Sequence, residues 1–338
     1  MPVSLGLAIT FWLLTALITW GWIKLAQAKQ IHDQPERRRL HQTFTPRAGG
    51  ISIALMMLLV SVLIYLGSNN PHAYWLLIVV AIALFAALGF WDDLKPLRSR
   101  RKLLLHLSVV GLIFLVCRFS VSLGFTASLF ISLAYLLFVN IWNFMDGSNG
   151  MIAFQSLLYV IGFLALSDFT YDSYYYALAL AACCLGFLPF NFPFARVFLG
   201  DVGSHVLGAA VVGLALLAYF ENQWKPLEIL CLFSVLWIDA LLTFVRRSLR
   251  GFKVTQPHRS HLYQYAIRCG TTHAAICAYY SAWTIAVITV IGINRLLPAS
   301  SQPILLFGVI AIGCALHQGL RLFVLKSSRN PKIQNSNA

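Results

Sequence analysis

The sequence predicts an all-α polytopic integral membrane protein, with about eleven transmembrane helices and its active site in cytoplasmic loops. Three observations carry that prediction. The 338 residues are 59% hydrophobic and 11% charged, where soluble domains carry about a quarter charged residues. Apolar stretches of roughly eighteen residues, the length that crosses a bilayer, recur along the whole chain. The basic residues gather in alternate loops, as they do when a chain threads a membrane repeatedly.

Hydropathy places the crossings at about 4–25, 48–66, 73–91, 103–118, 122–139, 151–167, 173–190, 204–220, 226–245, 275–293 and 303–324. The first run, Leu5 to Leu25, is too long for a signal-peptide core and lacks a basic start, so it reads as a retained helix. Trp20, Trp22, Trp75, Trp91, Trp142, Trp224 and Trp237 lie mostly near run ends, where interfacial anchors sit. The seven cysteines fall mostly inside apolar runs without disulfide or metal spacing, and read as packing. Residues 1–326 form one membrane domain, followed by a polar cytoplasmic tail, 327–338.

With eleven crossings the termini lie on opposite sides. One set of loops, with the tail, holds 21 of the 25 basic residues. The positive-inside rule makes that side cytoplasmic, with the N-terminus periplasmic and the C-terminus inside. The net charge of +14 is then a topology signal and an attraction for anionic lipid or substrate; nucleic acid is not an expected partner.

The cytoplasmic loops also collect the acids. From Phe119 to Ser167 there is one charged residue, Asp146, in the island Asn143-Phe144-Met145-Asp146-Gly147-Ser148-Asn149-Gly150. A carboxylate between two crossings either marks a boundary or serves a site. The glycines allow tight turns and the asparagines offer neutral oxygens, which suits a divalent metal or a phosphate; an ordinary Gly/Asn turn is the alternative. Asp92 and Asp93 end an apolar run, and such close like charges repel unless a cation shares them. Mg²⁺ would serve, since it accepts a few carboxylates with phosphate and water; a solvated helix end is the plain alternative. Lys102 follows within reach of an anion. Asp201 stands between glycines at the start of the next run, where it could cap a helix or hold a metal. Pro46-Arg47-Ala48-Gly49-Gly50 brings an arginine to a helix start, either an anion-binding arrangement or, as the plainer reading of this stretch alone, a basic loop on the membrane surface. Pro257-His258-Arg259-Ser260-His261 can hydrogen-bond a diphosphate or a sugar, but lacks further ligands nearby for zinc. Asp239, inside a run, is structural or substrate-facing.

Taken together, these loops resemble the polyprenyl-phosphate N-acetylhexosamine-1-phosphate transferases, glycosyltransferase family 4. The first motif is carried by Asp33, Pro35, Arg38, Arg39 and His41, with Pro46, Arg47, Gly49 and Gly50. The acidic pair is Asp92-Asp93. The island matches at Asn143, Asp146, Gly147 and Gly150, and the last motif at Phe198, Gly200, Asp201, Gly203 and Ser204. The resemblance covers nearly the whole chain. Asn149 stands where the family usually has a second aspartate. His258-Arg-Ser-His261, followed by Tyr263-Gln264, resembles the branch that starts O-antigen on N-acetylfucosamine or N-acetylquinovosamine.

The resemblance implies transfer of a sugar-1-phosphate from a UDP-N-acetylhexosamine to undecaprenyl phosphate in the bacterial inner membrane, releasing UMP. It implies Mg²⁺, with Mn²⁺ as a substitute, held by Asp201, Asp93 and Asn143. Asp92, Asp93 and Asp146 would be catalytic, while Arg47, Lys102, Asn191, His258, Arg259 and His261 would contact substrate. Membrane lipid is a partner and a homodimer is allowed. The alternatives are a UDP-N-acetylglucosamine-specific member, an inactive one, and a transporter or flippase. A transporter would favour charged or broken helices at mid-membrane, whereas only Asp239 is intramembrane here.

Overall fold

The computed structural model describes residues 2–33, 45–67, 73–252 and 258–328. Thirteen α-helices make up the described chain, with one two-residue antiparallel ladder between His32–Asp33 and Thr45–Pro46. In chain order they are α1 (Pro2–Ala28), α2 (Ile51–Gly67), α3 (Ala73–Leu94), α4 (Ser99–Leu115) and α5 (Phe125–Met145). Next come α6 (Met151–Ala165), α7 (Tyr171–Asn191), α8 (Gly200–Phe220), α9 (Pro226–Leu232) and α10 (Ser234–Leu249). Last are α11 (Leu262–Arg268), α12 (His273–Asn294) and α13 (Gln302–Ser328). The chain is a multi-pass, all-α membrane protein. Residues 329–338, most of the expected tail, lie outside the described residues, and α13 runs through Ser327 and Ser328.

Eight spans are long and apolar enough to cross a membrane; one of them, Arg100–Ser120, is α4 continued by the π-helical turn Val116–Ser120. The other three hydropathy runs take different forms. Ile51–Gly67 and Met151–Ala165 are shorter apolar helices. The run expected at 226–245 is one crossing by hydropathy but two helices in space, α9 and α10, bent by 77°. Neither glycine nor proline marks the bend. Phe233 sits there with its ring 5.4 Å from Phe138, 5.3 Å from Trp142 and 5.0 Å from Tyr159. Just past it, Ser234 accepts a hydrogen bond from Trp283 Nε1 at 2.9 Å. An aromatic side chain wedged among three others, not a local breaker, accompanies the change of direction.

The bundle is built around α8. Its most apolar window is 89% buried, against 17% and 22% for α1 and α13. The sequence of α8 explains this, because Gly203, Gly208, Ala209, Ala210 and Gly213 let neighbouring backbones approach. A Cβ on Gly208 would lie 3.0 Å from the Cα of Val139 in α5. The outer helices instead expose Leu5, Leu17, Ile304, Phe307 and Phe323, as lipid-facing helices do. Polar pairs join helices inside the bundle, including Thr284 to Gln155 at 2.6 Å and Thr19 to Ser52 at 2.7 Å. At the end of the bundle away from Asp92, Asp93 and Asp201, Arg295 pairs with Glu228 at 3.0 Å and lies over Trp224.

Replacing Phe233 by Ala should remove the wedge and cost about 3–5 kcal/mol. Thermal unfolding in detergent would read this as a clearly lowered Tm; an unchanged Tm would mean that the bend does not depend on that ring.

Candidate active site

The site forms where the end of α3 meets the start of α8. Helix α8 begins with backbone amides that have no partner within the helix and need an acceptor. Asp93, fully buried, accepts both: Asp201 N donates to its Oδ1 and Val202 N to its Oδ2, each at 3.0 Å. Arg47 Nη2 lies 3.8 Å from the same Oδ1. The glycines around this contact are there for close approach. Gly200 has φ of 75°, and a Cβ there would lie 2.5 Å from Asp93 Oδ2. A Cβ on Gly89 would lie 2.5 Å from the Asp201 carbonyl oxygen, and one on Gly50 would collide with Gly203. The Pro46–Gly50 segment pairs with the turn before α8: Gly49 N donates to Phe198 O, Gly50 N to Leu199 O and Phe198 N to Pro46 O, all at 2.9 Å. Two separated glycine motifs are therefore one backbone junction.

That junction aims Asp201 at Lys102. The ammonium nitrogen lies 2.5 Å from Asp201 Oδ2 and 2.6 Å from Asp92 Oδ2. Asp92 Oδ1 accepts the Leu97 amide at 2.6 Å, which fixes the carboxylate at the end of α3. Asn143 Nδ2 donates to Asp201 Oδ1 at 2.9 Å and to Ser204 Oγ at 3.1 Å. The Lys102 and Asp201 side chains each remain 24% exposed, so the cluster opens to a ligand. One turn below, the buried rings of His106 and His205 meet edge to face at 5.1 Å.

The Asp146 island stands beside this cluster. Asp146 is half-buried, and among the described residues its carboxylate has no hydrogen-bond or ion-pair partner. Burial, with the Asp201 and Asp93 charges behind it, raises its pKa well above the ordinary carboxylate range. The rest of the island is tightly held. Tyr263 donates to Phe144 O at 3.0 Å and packs on Gly147. Asn191 accepts Gly150 N at 2.6 Å and donates to Val197 O at 2.8 Å, so its amide ties the island to the turn before α8. His273 Nδ1 accepts Asn149 N at 3.2 Å and bonds the Ser148 hydroxyl at 3.1 Å. Asn149 uses its side-chain nitrogen as a donor to Pro193 O at 3.1 Å. A carboxylate in that place would set oxygen against oxygen, which gives the departure from the family pattern a local reason.

The histidine segment reaches the island through Tyr263, whose ring stacks 6.0 Å from His261. His258 and His261 lie 5.1 Å apart, and Ser260 Oγ bonds His258 Nδ1 at 3.0 Å. Burial, with His261 and Arg247 nearby, pushes the His258 pKa down to about 4, so the ring is neutral near pH 7. It can hydrogen-bond a sugar or phosphate as donor and acceptor, but it is no fixed cation. Arg259 is half-buried in the same segment. Pro35, Arg38, Arg39 and His41, from the first motif, lie outside the described residues.

Around the junction, Lys102 lies between Asp92 and Asp201, Arg47 lies by Asp93, and Asp146 stands beside them. Three carboxylates against two cations, with Asp146 adjacent, leave room for a cation, and the donors are the hard oxygens Mg²⁺ prefers. Among the described residues no three His, Cys, Asp or Glu side chains converge as a metal cage, but Mg²⁺ needs only one or two carboxylates when phosphates and water complete its shell. Asp201 and Asp92 fit that description, and Lys102 lies where a cation is favoured. Asp93 and Asn143, expected as metal ligands, make different bonds here. Both Asp93 oxygens hold amides, and the Asn143 nitrogen orients Asp201. Sequence reasoning read Tyr263 only as part of the histidine segment's pattern and missed His273; both hold the island from distant helices.

The chain is similar to known proteins. The family described as Glycosyl transferase family 4 matches residues 75–219, which include Asp92, Asp93, Lys102, Asn143, Asp146 and Asp201. A phospho-N-acetylmuramoyl-pentapeptide-transferase from Listeria welshimeri is 29% identical over 266 residues, covering 70% of this chain and 81% of its own. A probable undecaprenyl-phosphate N-acetylglucosaminyl 1-phosphate transferase from Bacillus subtilis is 28% identical over 281 residues, 77% of this chain and 76% of its own. A decaprenyl-phosphate N-acetylglucosaminephosphotransferase from Mycobacterium tuberculosis is 26% identical over 298 residues, 74% and 72%.

An unpartnered carboxylate costs stability and is retained for function. In metal-free buffer, Asp146→Asn should therefore unfold at an equal or higher Tm than wild type. Because the folded pKa is raised, the protonated form is the favoured one; the wild type is unpenalised below the ordinary carboxylate pKa and loses stability as pH rises through the folded value. The variant's advantage should thus grow from about pH 4 to pH 8. A variant that is less stable throughout would show that Asp146 has a structural partner.

Proposed function

We propose that this chain is a member of glycosyl transferase family 4 and that it transfers an N-acetylhexosamine-1-phosphate from a UDP-sugar to a polyprenyl phosphate, releasing UMP. The observation that carries this reading is the Asp92–Lys102–Asp201 cluster, partly open and set beside an unpaired Asp146. In the reaction an oxygen of the acceptor phosphate attacks the β-phosphorus of the donor. The new P–O bond makes a lipid-linked diphosphate sugar, and the bond to UMP breaks, UMP leaving with the electron pair.

Each residue then has a physical task. Lys102 would release its two carboxylates to hold donor phosphate oxygens, lowering the repulsion between two anions. Asp201 and Asp92 would hold Mg²⁺, which when bound polarises the diphosphate and stabilises the departing UMP. Where the acceptor phosphate carries a proton, Asp92 would take it. Asp93 and Asn143 would keep Asp201 aimed. The neutral His258, with Arg259 and His261, would hydrogen-bond the sugar or its phosphate. Asp146, kept unpaired, would meet the nucleotide or the cation. The excess of basic loops on the side bearing these motifs supports a cytoplasmic site in the plasma membrane.

For the donor, the form His258-Arg259-Ser260-His261 with Tyr263-Gln264 favours a 6-deoxy sugar, N-acetylfucosamine or N-acetylquinovosamine, and with it O-antigen initiation. The specificity for N-acetylglucosamine in the names of two of the relatives keeps UDP-N-acetylglucosamine as the second donor to test.

The test is transfer of radiolabel from each UDP-sugar to undecaprenyl phosphate by the purified protein, with Mg²⁺ and with EDTA. Mg²⁺-dependent lipid labelling is expected, with at least a thousandfold loss in Asp201→Asn and Asp92→Asn. Full turnover by a folded Asp201→Asn protein would remove that residue from the chemistry, and no labelling from any donor would overturn the reading.

A further inference from the structure

One carboxylate lies outside the reaction as described. Asp239 is wholly buried in α10, where an isolated charge costs several kcal/mol. It is not isolated. Leu262 N donates to both oxygens, at 3.0 and 3.1 Å, and Tyr280 OH donates to Oδ2 at 2.6 Å. Thr243 Oγ1 donates to Oδ1 at 3.1 Å, and His317 Nε2 lies 3.3 Å from the same oxygen. His261 Nδ1 is 3.5 Å from Oδ1, outside hydrogen-bond geometry. One side chain thus gathers α10, α11, α12 and α13.

The part of this network that matters for function is its link to α11. Leu262 opens that helix, and its amide is bound twice. His261 precedes it, with Nδ1 turned to Asp239 and Nε2 left for a ligand. Tyr263 follows it, and reaches Phe144 O and Gly147 in the Asp146 island. Three consecutive residues therefore connect Asp239 to both segments assigned to donor recognition. A capping bond shared by both carboxylate oxygens fixes the rotation of α11 as well as its position, because a twist of the helix would lengthen one bond or the other.

We propose that Asp239 is a positioning residue for the donor sugar-nucleotide: by capping α11 it holds His258–His261 and, through Tyr263, the Asp146 island in binding geometry. The inference rests on the donor-binding reading above. It assigns Asp239 no contact with the reacting atoms and no part in the acceptor's lipid contacts.

The test compares full-length wild type with Asp239→Leu and Asp239→Asn. Steady-state transfer is measured against donor and acceptor separately, and amide hydrogen exchange is followed over 258–268. Asp239→Leu should raise the donor KM at least tenfold and leave the acceptor KM within twofold. It should also lose exchange protection at Leu262 while α8 keeps its own. Asp239→Asn retains one acceptor oxygen for the Leu262 amide and should recover part of both effects. An active Asp239→Leu enzyme with unchanged donor KM, or with both KM values raised alike, would overturn this inference and leave the transferase reading intact. Wild type silent with every donor would overturn the transferase reading and donor positioning with it. A variant too unstable to purify would leave Tyr280→Phe as the second probe, which should raise only the donor KM; no change there would overturn the inference.

Discussion

Two backbone amides at the start of α8 need an acceptor, and Asp93 supplies it. The rest of the site depends on that contact. Because the carboxylate comes from α3, it is a tertiary bond as well as a cap, and it fixes where α8 begins relative to α3. Asp201 is the second residue of α8, so its side chain is aimed by the same bonds. The small residues Gly50, Gly89, Gly200 and Gly203 are the steric condition for the contact, since a Cβ at any of them would push the junction apart. A negative group at the positive end of the α8 dipole adds a favourable term in the same direction.

The electrostatics of the site follow from this placement. With Asp93 committed to amides, Lys102 is left to share itself between Asp92 and Asp201. One ammonium between two carboxylates satisfies neither fully, and Asp146 next to them has no partner among the described residues. This is the charge pattern of a site that waits for a cation and a phosphate, not of a closed structural network, in which each buried charge finds a partner. The same capping device occurs a second time, where Asp239 binds the amide that opens α11. Both helices carry or adjoin residues assigned to substrate, and both are held by a carboxylate from another helix.

Much of this was legible in the sequence. All eleven hydropathy runs fall on helices, and the acids of the motif loops at Asp92, Asp93, Asp146 and Asp201 gather at one place, because each element's type is set by local composition and each motif sits at a helix end. What was not legible is the work of neighbours. Asp92 and Asp93 are indistinguishable as text, yet successive helix positions point about 100° apart, so one meets Lys102 and the other meets α8. The bend at Phe233 has no glycine or proline to announce it, and the aromatic cluster that accompanies it is drawn from two other helices, α5 and α6. Tyr263 and His273 hold the island across more than a hundred residues, a contact that no local pattern announces. Asn149, a departure from the family pattern, turns out to be engaged as a donor in a contact that a carboxylate would lose.

On the reading proposed above, the junction of α3 and α8 holds one divalent cation through Asp201 and Asp92. The most direct measurement is a Mn²⁺ titration of the purified protein followed by electron paramagnetic resonance, with UMP present to supply phosphate. One saturable site is expected in the wild type, its affinity lowered at least tenfold in Asp201→Asn. Equal affinity in the two proteins, or no saturable site in the wild type, would contradict it.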